Sequence, residues 1–169
     1  MIRRPHIALG AILAMTTIQP AAAQEAAEPA APPMWLISCS NQASFDELLC
    51  EFSQSIILTN QAGQSQRVAT ASFTRVVGAT GFDAVFSLPY EVSLQDDVTL
   101  SVDETMLGTL SWQSCDAGGC YARGPVANAW MQAMRAGHQL SAALKARDGR
   151  DITFTFALNG FSRAADMLP

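Results

Sequence analysis

The stretch Trp112-Gln-Ser-Cys-Asp-Ala-Gly-Gly-Cys-Tyr-Ala-Arg-Gly124 holds Cys115 and Cys120, two of the four cysteines in this 169-residue chain. The other two, Cys39 and Cys50, are also close together in the sequence. Four cysteines allow three pairings, and Cys39–Cys50 with Cys115–Cys120 is favoured because each disulfide then closes a short loop. Zinc is the competing use, but the spacings C-x10-C and C-x4-C differ from the C-x2-C of common zinc sites. We therefore expect two structural disulfides and no metal.

The amino-terminal segment has the features of a secretory signal peptide. Basic Arg3 and Arg4 precede an apolar run over residues 7–18, and three alanines at residues 21–23 offer a small-residue cleavage site. The apolar run is shorter than the roughly 20 residues that span a bilayer. Paired arginines also occur in twin-arginine signals, but the wider consensus is missing, so the general export route is favoured. We predict that residues 1–23 are a signal peptide.

Removal of that segment would leave an acidic chain with one domain. Two arginines leave with it, so eight basic residues face 15 acidic ones and the net charge is −7. An acidic surface disfavours nucleic acid and anionic membranes as partners. Residues 24–33, rich in Ala, Pro and Glu, are predicted to be a flexible leader. Residues 34–169 are expected to form a single β-rich domain, with no integral membrane segment after signal removal.

Alternation of apolar and polar residues predicts about eight strands, mostly antiparallel. A Cys39–Cys50 disulfide would join the first two strands as neighbours, and a favoured two-residue turn at Asp148-Gly149 predicts a hairpin near the end of the chain. The strands are expected over residues 35–39, 50–58, 67–77, 82–88, 98–102, 107–112, 140–144 and 152–158.

Two helices interrupt the β pattern. Pro125 suits a first helical position, and Val126 and Trp130 lie four residues apart on an apolar face that continues to Gly137. A shorter apolar stripe over residues 161–168 predicts a C-terminal helix. The predicted fold is therefore an antiparallel β-sandwich or a partly open barrel, with one mid-chain helix and one short C-terminal helix.

The sequence offers no clear catalytic constellation. His138 is the only histidine left after signal removal, and its place between Gly137 and a strand favours a surface position. A serine triad would need this histidine, yet no G-x-S-x-G motif is present. The carboxylate pairs Asp96-Asp97 and Asp103-Glu104 flank a predicted strand, so they are expected to be solvated turn residues instead of a glycosidase pair. We expect no enzyme activity and no cofactor.

The cysteines and aromatic residues offer weaker functional signals. Catalytic dithiols usually lie as C-x-x-C at the start of a helix, unlike the C-x4-C spacing of Cys115 and Cys120, so a structural disulfide is favoured. Among the aromatic residues, Trp35 lies on an apolar face and is expected in the core. Trp112 and Tyr121, beside the second cysteine pair, are the better candidates for a binding surface.

An ordered set of residues gives this sequence a family resemblance. The set consists of Trp35-x3-Cys39, Cys50, Cys115-x3-Gly119-Cys120 and Gly160-Phe161-x2-Ala164. In order and placement these residues resemble the invasion-associated locus B family of exported alphaproteobacterial proteins, over about residues 35 to 168.

The resemblance implies a periplasmic, outer-envelope-associated or secreted protein with no enzyme activity and no catalytic residues. It also implies a virulence-related setting, since some relatives are linked to the entry of pathogens into host cells. The leading hypothesis is a non-enzymatic protein that binds a macromolecular partner, either protein or glycan. One alternative is a periplasmic small-ligand or glycan-binding module that uses either a concave face of the sheet or the loop of Trp112 and Tyr121. Another is a periplasmic thiol-disulfide enzyme that uses Cys115 and Cys120.

Overall fold

The computed structural model describes residues 35–41 and 46–169, which form nine strands and two helices. The predicted signal peptide and leader, residues 1–33, lie outside the described residues. The mainly β, antiparallel fold with a mid-chain helix and a C-terminal helix is confirmed. The elements are β1 (Leu36–Ser40), β2 (Leu49–Thr59), β3 (Ser65–Val76), β4 (Phe82–Leu88), β5 (Val98–Val102), β6 (Thr105–Asp116), β7 (Gly119–Val126), α1 (Asn128–Ala136), β8 (Gln139–Lys145), β9 (Asp151–Ala157) and α2 (Phe161–Met167).

The nine strands form one sheet in the order β1-β2-β3-β4-β7-β6-β5-β8-β9. Strand β6 joins the two halves, because its first half pairs with β5 and its second half pairs with β7. The change of partner falls between Leu110, which is opposite Val98, and Ser111, which is opposite Arg123. The sheet curls into a half-barrel, so of the two predicted forms the partly open barrel describes the structure.

The open side of the half-barrel is bridged by one buried side chain. Gln54 of β2 is 7 % exposed, and its Nε2 donates to the carbonyl oxygen of Ala157 in β9 at 2.9 Å. Its Oε1 accepts from the Ala157 N–H, also at 2.9 Å. These are the two hydrogen bonds that a residue of a neighbouring antiparallel strand would make. The Trp35 indole N–H donates to the same carbonyl at 3.1 Å.

An aromatic cluster fills the barrel beside this bridge. Phe161, the first residue of α2, lies with its ring centroid 5.3 Å from Trp35, 5.2 Å from Phe52 and 5.2 Å from Phe73. The Phe161 ring meets all three at steep angles, an arrangement that favours contact of a ring edge with a ring face. Trp35 is 5 % exposed, so its predicted place in the core is confirmed. Helix α2 thus closes one end of the core.

Strand β7 was not among the predicted strands, and the mid-chain helix begins later than expected. Pro125 and Val126 lie in β7, where Pro125 is opposite Asp83, and α1 starts at Asn128. Proline tolerates both a strand and a first helical turn, and here pairing with β4 decides between them. The helix ends at Gly137 as predicted, and Trp130 lies over Gly108, where an added methyl group would overlap the indole ring.

The last hairpin has a different turn from the predicted two-residue turn at Asp148-Gly149. Leu144 is opposite Ile152, and the turn runs from Ala146 to Gly149, whose φ is +85°. The physical reason is that the apolar residues carry even numbers on both strands. A two-residue turn would place even-numbered residues opposite odd-numbered ones, so the apolar residues of the two strands would lie on different faces of the sheet. A connection with an odd number of residues keeps Leu144 and Ile152 on the same face.

We predict that Gln54→Met destabilises the fold, because methionine keeps the volume but leaves the Ala157 N–H without its partner. The free energy of unfolding should fall by about 2 kcal/mol, the usual cost of an unsatisfied buried polar group. Chemical denaturation measures it. Gln61→Met, in an exposed turn, is the matched control and should change the free energy by less than about 0.5 kcal/mol. Equal stability of the two variants would refute the bridging role.

Candidate functional site

Both cysteine pairs form cross-strand disulfides. Cys115 of β6 is directly opposite Cys120 of β7, with a Cα–Cα distance of 4.0 Å, and residues 117–118 turn the chain between them. Cys39 of β1 is likewise opposite Cys50 of β2 at 4.0 Å. Cys50 and Cys120 are buried, whereas their partners are exposed. Each disulfide therefore fixes the register of one pair of neighbouring strands.

The structure places Trp112 and Tyr121 on opposite faces of the sheet. Trp112 is opposite the fully buried Ala122, packs against the core, and donates its indole N–H to the Asp96 carbonyl at 2.9 Å. Tyr121 follows Cys120 and precedes Ala122, both buried, so its ring projects from the outer face. The two residues do not share one surface. A role for either in binding stays a prediction.

On the outer face, Tyr121 is held by Asp116 across the hairpin. The Tyr121 hydroxyl donates to Asp116 Oδ1 at 3.0 Å, and the same oxygen accepts the Gly118 N–H at 2.7 Å. The hydrogen bond to Asp116 raises the pKa of Tyr121, and partial burial and the carboxylate charge act in the same direction. A hydrogen bond with Ser87 opposes them. At the tip of the hairpin, the phenol of Tyr121 and the carboxylate of Asp116 are thus joined by a hydrogen bond.

Tyr90 is an aromatic residue that the sequence interpretation ranked below Trp112 and Tyr121 as a candidate for a binding surface. It is 51 % exposed, yet its hydroxyl is fixed by donation to the backbone carbonyl oxygen of Asp116. The next residue, Glu91, has φ +65°, which non-glycine residues adopt rarely. That conformation is held because the Glu91 carbonyl accepts the Arg147 N–H at 2.7 Å. The chain therefore presents Tyr90 as an exposed ring in a fixed position.

Two cavities flank the Tyr90 ring, and we call them together with the ring the Tyr90 groove. The first has a volume of about 340 Å³ and is lined by Arg67, Ser87 and the glycines of the hairpin turn. The second, of about 390 Å³, is lined by Glu91, Arg147 and other residues of the β8–β9 turn. Tyr90 lines both cavities, so the two cavities meet at this residue.

The groove contains arginines that lack an acidic partner within the described part of the chain. Arg67 lines the first cavity and Arg147 the second, and neither is among the ion pairs of residues 35–41 and 46–169. Arg150, also in the second cavity, pairs with Asp148 at 2.7 Å. An exposed guanidinium group can bind a carboxylate through two parallel hydrogen bonds.

The predicted surface position of His138 agrees with its 90 % exposed side chain. Its Nδ1 lies 3.3 Å from Asp103 Oδ2. The stronger contacts of the Asp103 carboxylate are with backbone N–H groups. Asp103 accepts the backbone N–H groups of His138 and Gln139 at 2.9 Å each. The hydrogen bond from the His138 N–H contributes most to a lowered pKa of Asp103, and partial desolvation opposes it. This pair fastens the β5–β6 turn to the start of β8.

Asp96 and Asp97 are exposed in the loop before β5. Within residues 35–41 and 46–169, no group of three or more His, Cys, Asp or Glu side chains is arranged to hold a metal ion. Of the helices in that part of the chain, none is long and apolar enough to cross a membrane.

The fold and site together define a disulfide-linked antiparallel half-barrel with a polar surface groove. A similar fold occurs in the crystal structure of invasion-associated protein B from Bartonella henselae. That likeness has a TM-score of 0.64 at 21 % identity, and covers 79 % of this chain and 90 % of that one. At this level of identity the comparison supports the fold alone.

Sequence comparison identifies the family. The model of the invasion-associated locus B (IalB) proteins matches residues 35–169, and the chain belongs to this family. An invasion protein B homolog of Brucella abortus strain 2308 is 27 % identical over 135 residues, which cover 79 % of this chain and 75 % of that protein. A homolog of Brucella abortus biovar 1 strain 9-941 matches to the same extent. The family resemblance read from the cysteine and glycine spacing is confirmed.

We predict that Asp116→Ala lowers the pKa of Tyr121 toward its usual value near 10, because the variant loses both the hydrogen bond and the negative charge. The chain has two tyrosines, so in a Tyr90→Phe background the phenolate absorbance reports Tyr121 alone. A pH titration of that absorbance, with and without Asp116→Ala, measures the shift. An unchanged Tyr121 midpoint would show that Asp116 does not control this phenol.

A second prediction concerns acid stability. Because the folded-state pKa of Asp103 is below its unfolded value, ionised Asp103 stabilises the fold above the unfolded pKa, about 3.9. This contribution is lost as the pH falls through the folded-state pKa. As the pH falls, the parent should therefore lose unfolding free energy that the Asp103→Asn variant does not lose, so the stability advantage of the parent over the variant should shrink. Denaturation across the acidic range measures it, with Asp97→Asn, in an exposed loop, as the control. Parallel curves would contradict the prediction.

Proposed function

We propose that this protein is an exported, non-enzymatic binding protein that contacts a macromolecular partner through the Tyr90 groove. The observation that carries the proposal is the exposed Tyr90 ring, fixed at its hydroxyl, between a cavity lined by Arg67 and a cavity lined by Arg147. Neither arginine forms an ion pair within residues 35–41 and 46–169. Tyrosine and arginine are the residue types that most often supply binding energy at macromolecular interfaces.

Export is supported by the chemistry of the cysteines. All four cysteines lie in the two disulfides, and disulfides persist mainly in oxidising compartments outside the cytosol. Family membership and the basic-apolar-small pattern of residues 1–23 point the same way. We infer a location in the periplasm, at the outer envelope or in the secreted fraction. The relatives named as invasion protein B homologs make host-cell contact one setting for such a protein.

A binding role fits the arrangement better than catalysis by the candidate residues of the sequence. His138 and Asp103 are exposed and support a turn, and among the hydrogen bonds of the described residues no serine joins them. Cys115 and Cys120 are linked to one another beside the turn of a β-hairpin, and neither lies at the start of a helix, where the pKa of a thiol would be lowered. The groove, in contrast, holds fixed groups that can contact a partner without reacting with it.

The proposal is tested by the binding of purified mature protein to two kinds of surface, isolated envelopes of the producing cell and intact host cells. Co-sedimentation across a range of protein concentrations gives the affinity. We expect saturable binding to at least one surface, and Arg147→Ala should weaken it by about tenfold because a charge-assisted contact is lost. The bound protein should be released unchanged in mass, together with unaltered partner material.

Arg163→Ala is the matched control for Arg147→Ala. Arg163 is exposed on α2, carries the same charge, and is outside the ion pairs of the described residues. This variant should bind as the parent does. Binding that is absent from both surfaces, or equally weakened by the two substitutions, would overturn the proposal.

A further inference from the structure

We propose that the ligand of the Tyr90 groove is a carboxylated glycan, an acidic polysaccharide chain that lies across the Tyr90 ring. The inference rests on the proposed function and names the chemistry of the partner. It follows from three properties of the groove: the aromatic ring at which its cavities meet, the placement of its cations, and the presence of carboxylates beside those cations.

The aromatic ring suits the apolar face of a sugar ring. A pyranose presents C–H groups on its faces and hydroxyls around its edge, so it packs on an aromatic face while its edge stays polar. Tyr90 offers such a face without a cost in side-chain ordering, because its hydroxyl is already held by the Asp116 carbonyl. The rare backbone conformation of Glu91 is strain of the kind found where a neighbouring group must be held in position.

The cations lie where a chain crossing the ring would carry its acidic groups. Arg67 lines the cavity on one side of Tyr90, and Arg147 lines the cavity on the other side. A guanidinium group forms two parallel hydrogen bonds with a carboxylate, which a neutral sugar cannot match. In a segment of three acidic sugars, the middle ring covers Tyr90 and the two outer sugars each place a carboxylate in one cavity.

The carboxylates in the groove separate this ligand from other polyanions. Glu91 and Asp148 line the second cavity beside Arg147, so that cavity contains acceptors as well as donors. A uronic acid has hydroxyls that can donate to these acceptors and a carboxylate for the arginine. A single-stranded DNA or an acidic peptide also brings anionic groups, but it offers few hydroxyls to these acceptors. The mixed lining therefore favours an acidic sugar chain.

The size of the cavities agrees with this choice. At about 340 and 390 Å³ they lie at the small end of the range for ligand pockets, which is suited to single sugar units. Ser87 and Gln66 add a hydroxyl and an amide to the first cavity, and such side chains fix the orientation of sugar hydroxyls.

The test uses the mature protein and four probes in isothermal titration calorimetry. They are an oligogalacturonate, the same oligomer with its carboxylates methyl-esterified, a polyglutamate peptide and a single-stranded oligonucleotide. We expect the oligogalacturonate to bind at least about tenfold more tightly than each of the others, because only it combines carboxylates with sugar rings and hydroxyls.

Matched variants assign the binding to the groove. Tyr90→Ala and Arg67→Ala should each weaken oligogalacturonate binding by about tenfold, whereas Arg163→Ala should leave it unchanged. Tyr90→Phe keeps the ring but removes the hydroxyl that donates to the Asp116 carbonyl. We therefore expect a smaller loss of affinity than for Tyr90→Ala. Thermal unfolding of each variant verifies that the fold is retained.

The outcomes separate this inference from the proposed function. If the oligogalacturonate binds no better than its methyl ester, or if the peptide or the oligonucleotide binds more tightly, the glycan inference is wrong. The binding of envelopes or host cells through Arg147 would still support the proposed function in that case. Loss of binding to both surfaces would instead remove the proposed function itself.

Discussion

The fold depends on the double hydrogen bond between the Gln54 side chain and the backbone of Ala157. A sheet that curls without closing exposes two edges, and backbone groups at an edge need partners when the strands are drawn into the core. Gln54 supplies both partners from a side chain, so β9 can approach β2 without forming a ladder with it. The Trp35 indole shares the same carbonyl. The position of α2, which follows β9, is thereby set over the aromatic cluster.

Much of this fold could be predicted from the period-2 pattern, because strands that bury one face repeat it residue by residue. Strands β3, β4 and β5 agree with the predicted segments within about two residues. Strand β7 could not be predicted in this way because Gly119, Gly124 and Pro125 interrupt its alternating pattern. It forms because it pairs with β4 and β6, which is a tertiary contact. The bridging role of Gln54 could not be predicted from the sequence, because Gln54 is a single polar residue at an inward-facing strand position and no local pattern names its partner.

The candidate site was less accessible to sequence reasoning. Its aromatic residue, Tyr90, lies after the end of β4, and its arginines come from β3 and the β8–β9 turn, so no local spacing joins them. Trp112 and Tyr121 were the more obvious pair because they lie beside the cysteines, but adjacent strands in this register turn them to opposite faces. Proline before Tyr90 and an acidic residue after it were the only local signs of an exposed corner. Which arginines have acidic partners depends on the fold and cannot be read from the sequence.

The aromatic cluster also brings the two ends of the described domain together. Trp35, just before β1, and Phe161, at the start of α2, touch through their rings, and Arg75 of β3 donates to the carbonyl of Leu168. A domain whose entry and exit are neighbours can be inserted into a surface loop of a carrier protein, or have its ends joined and be reopened at an exposed turn. The half-barrel therefore has the arrangement of ends that such insertion or permutation requires.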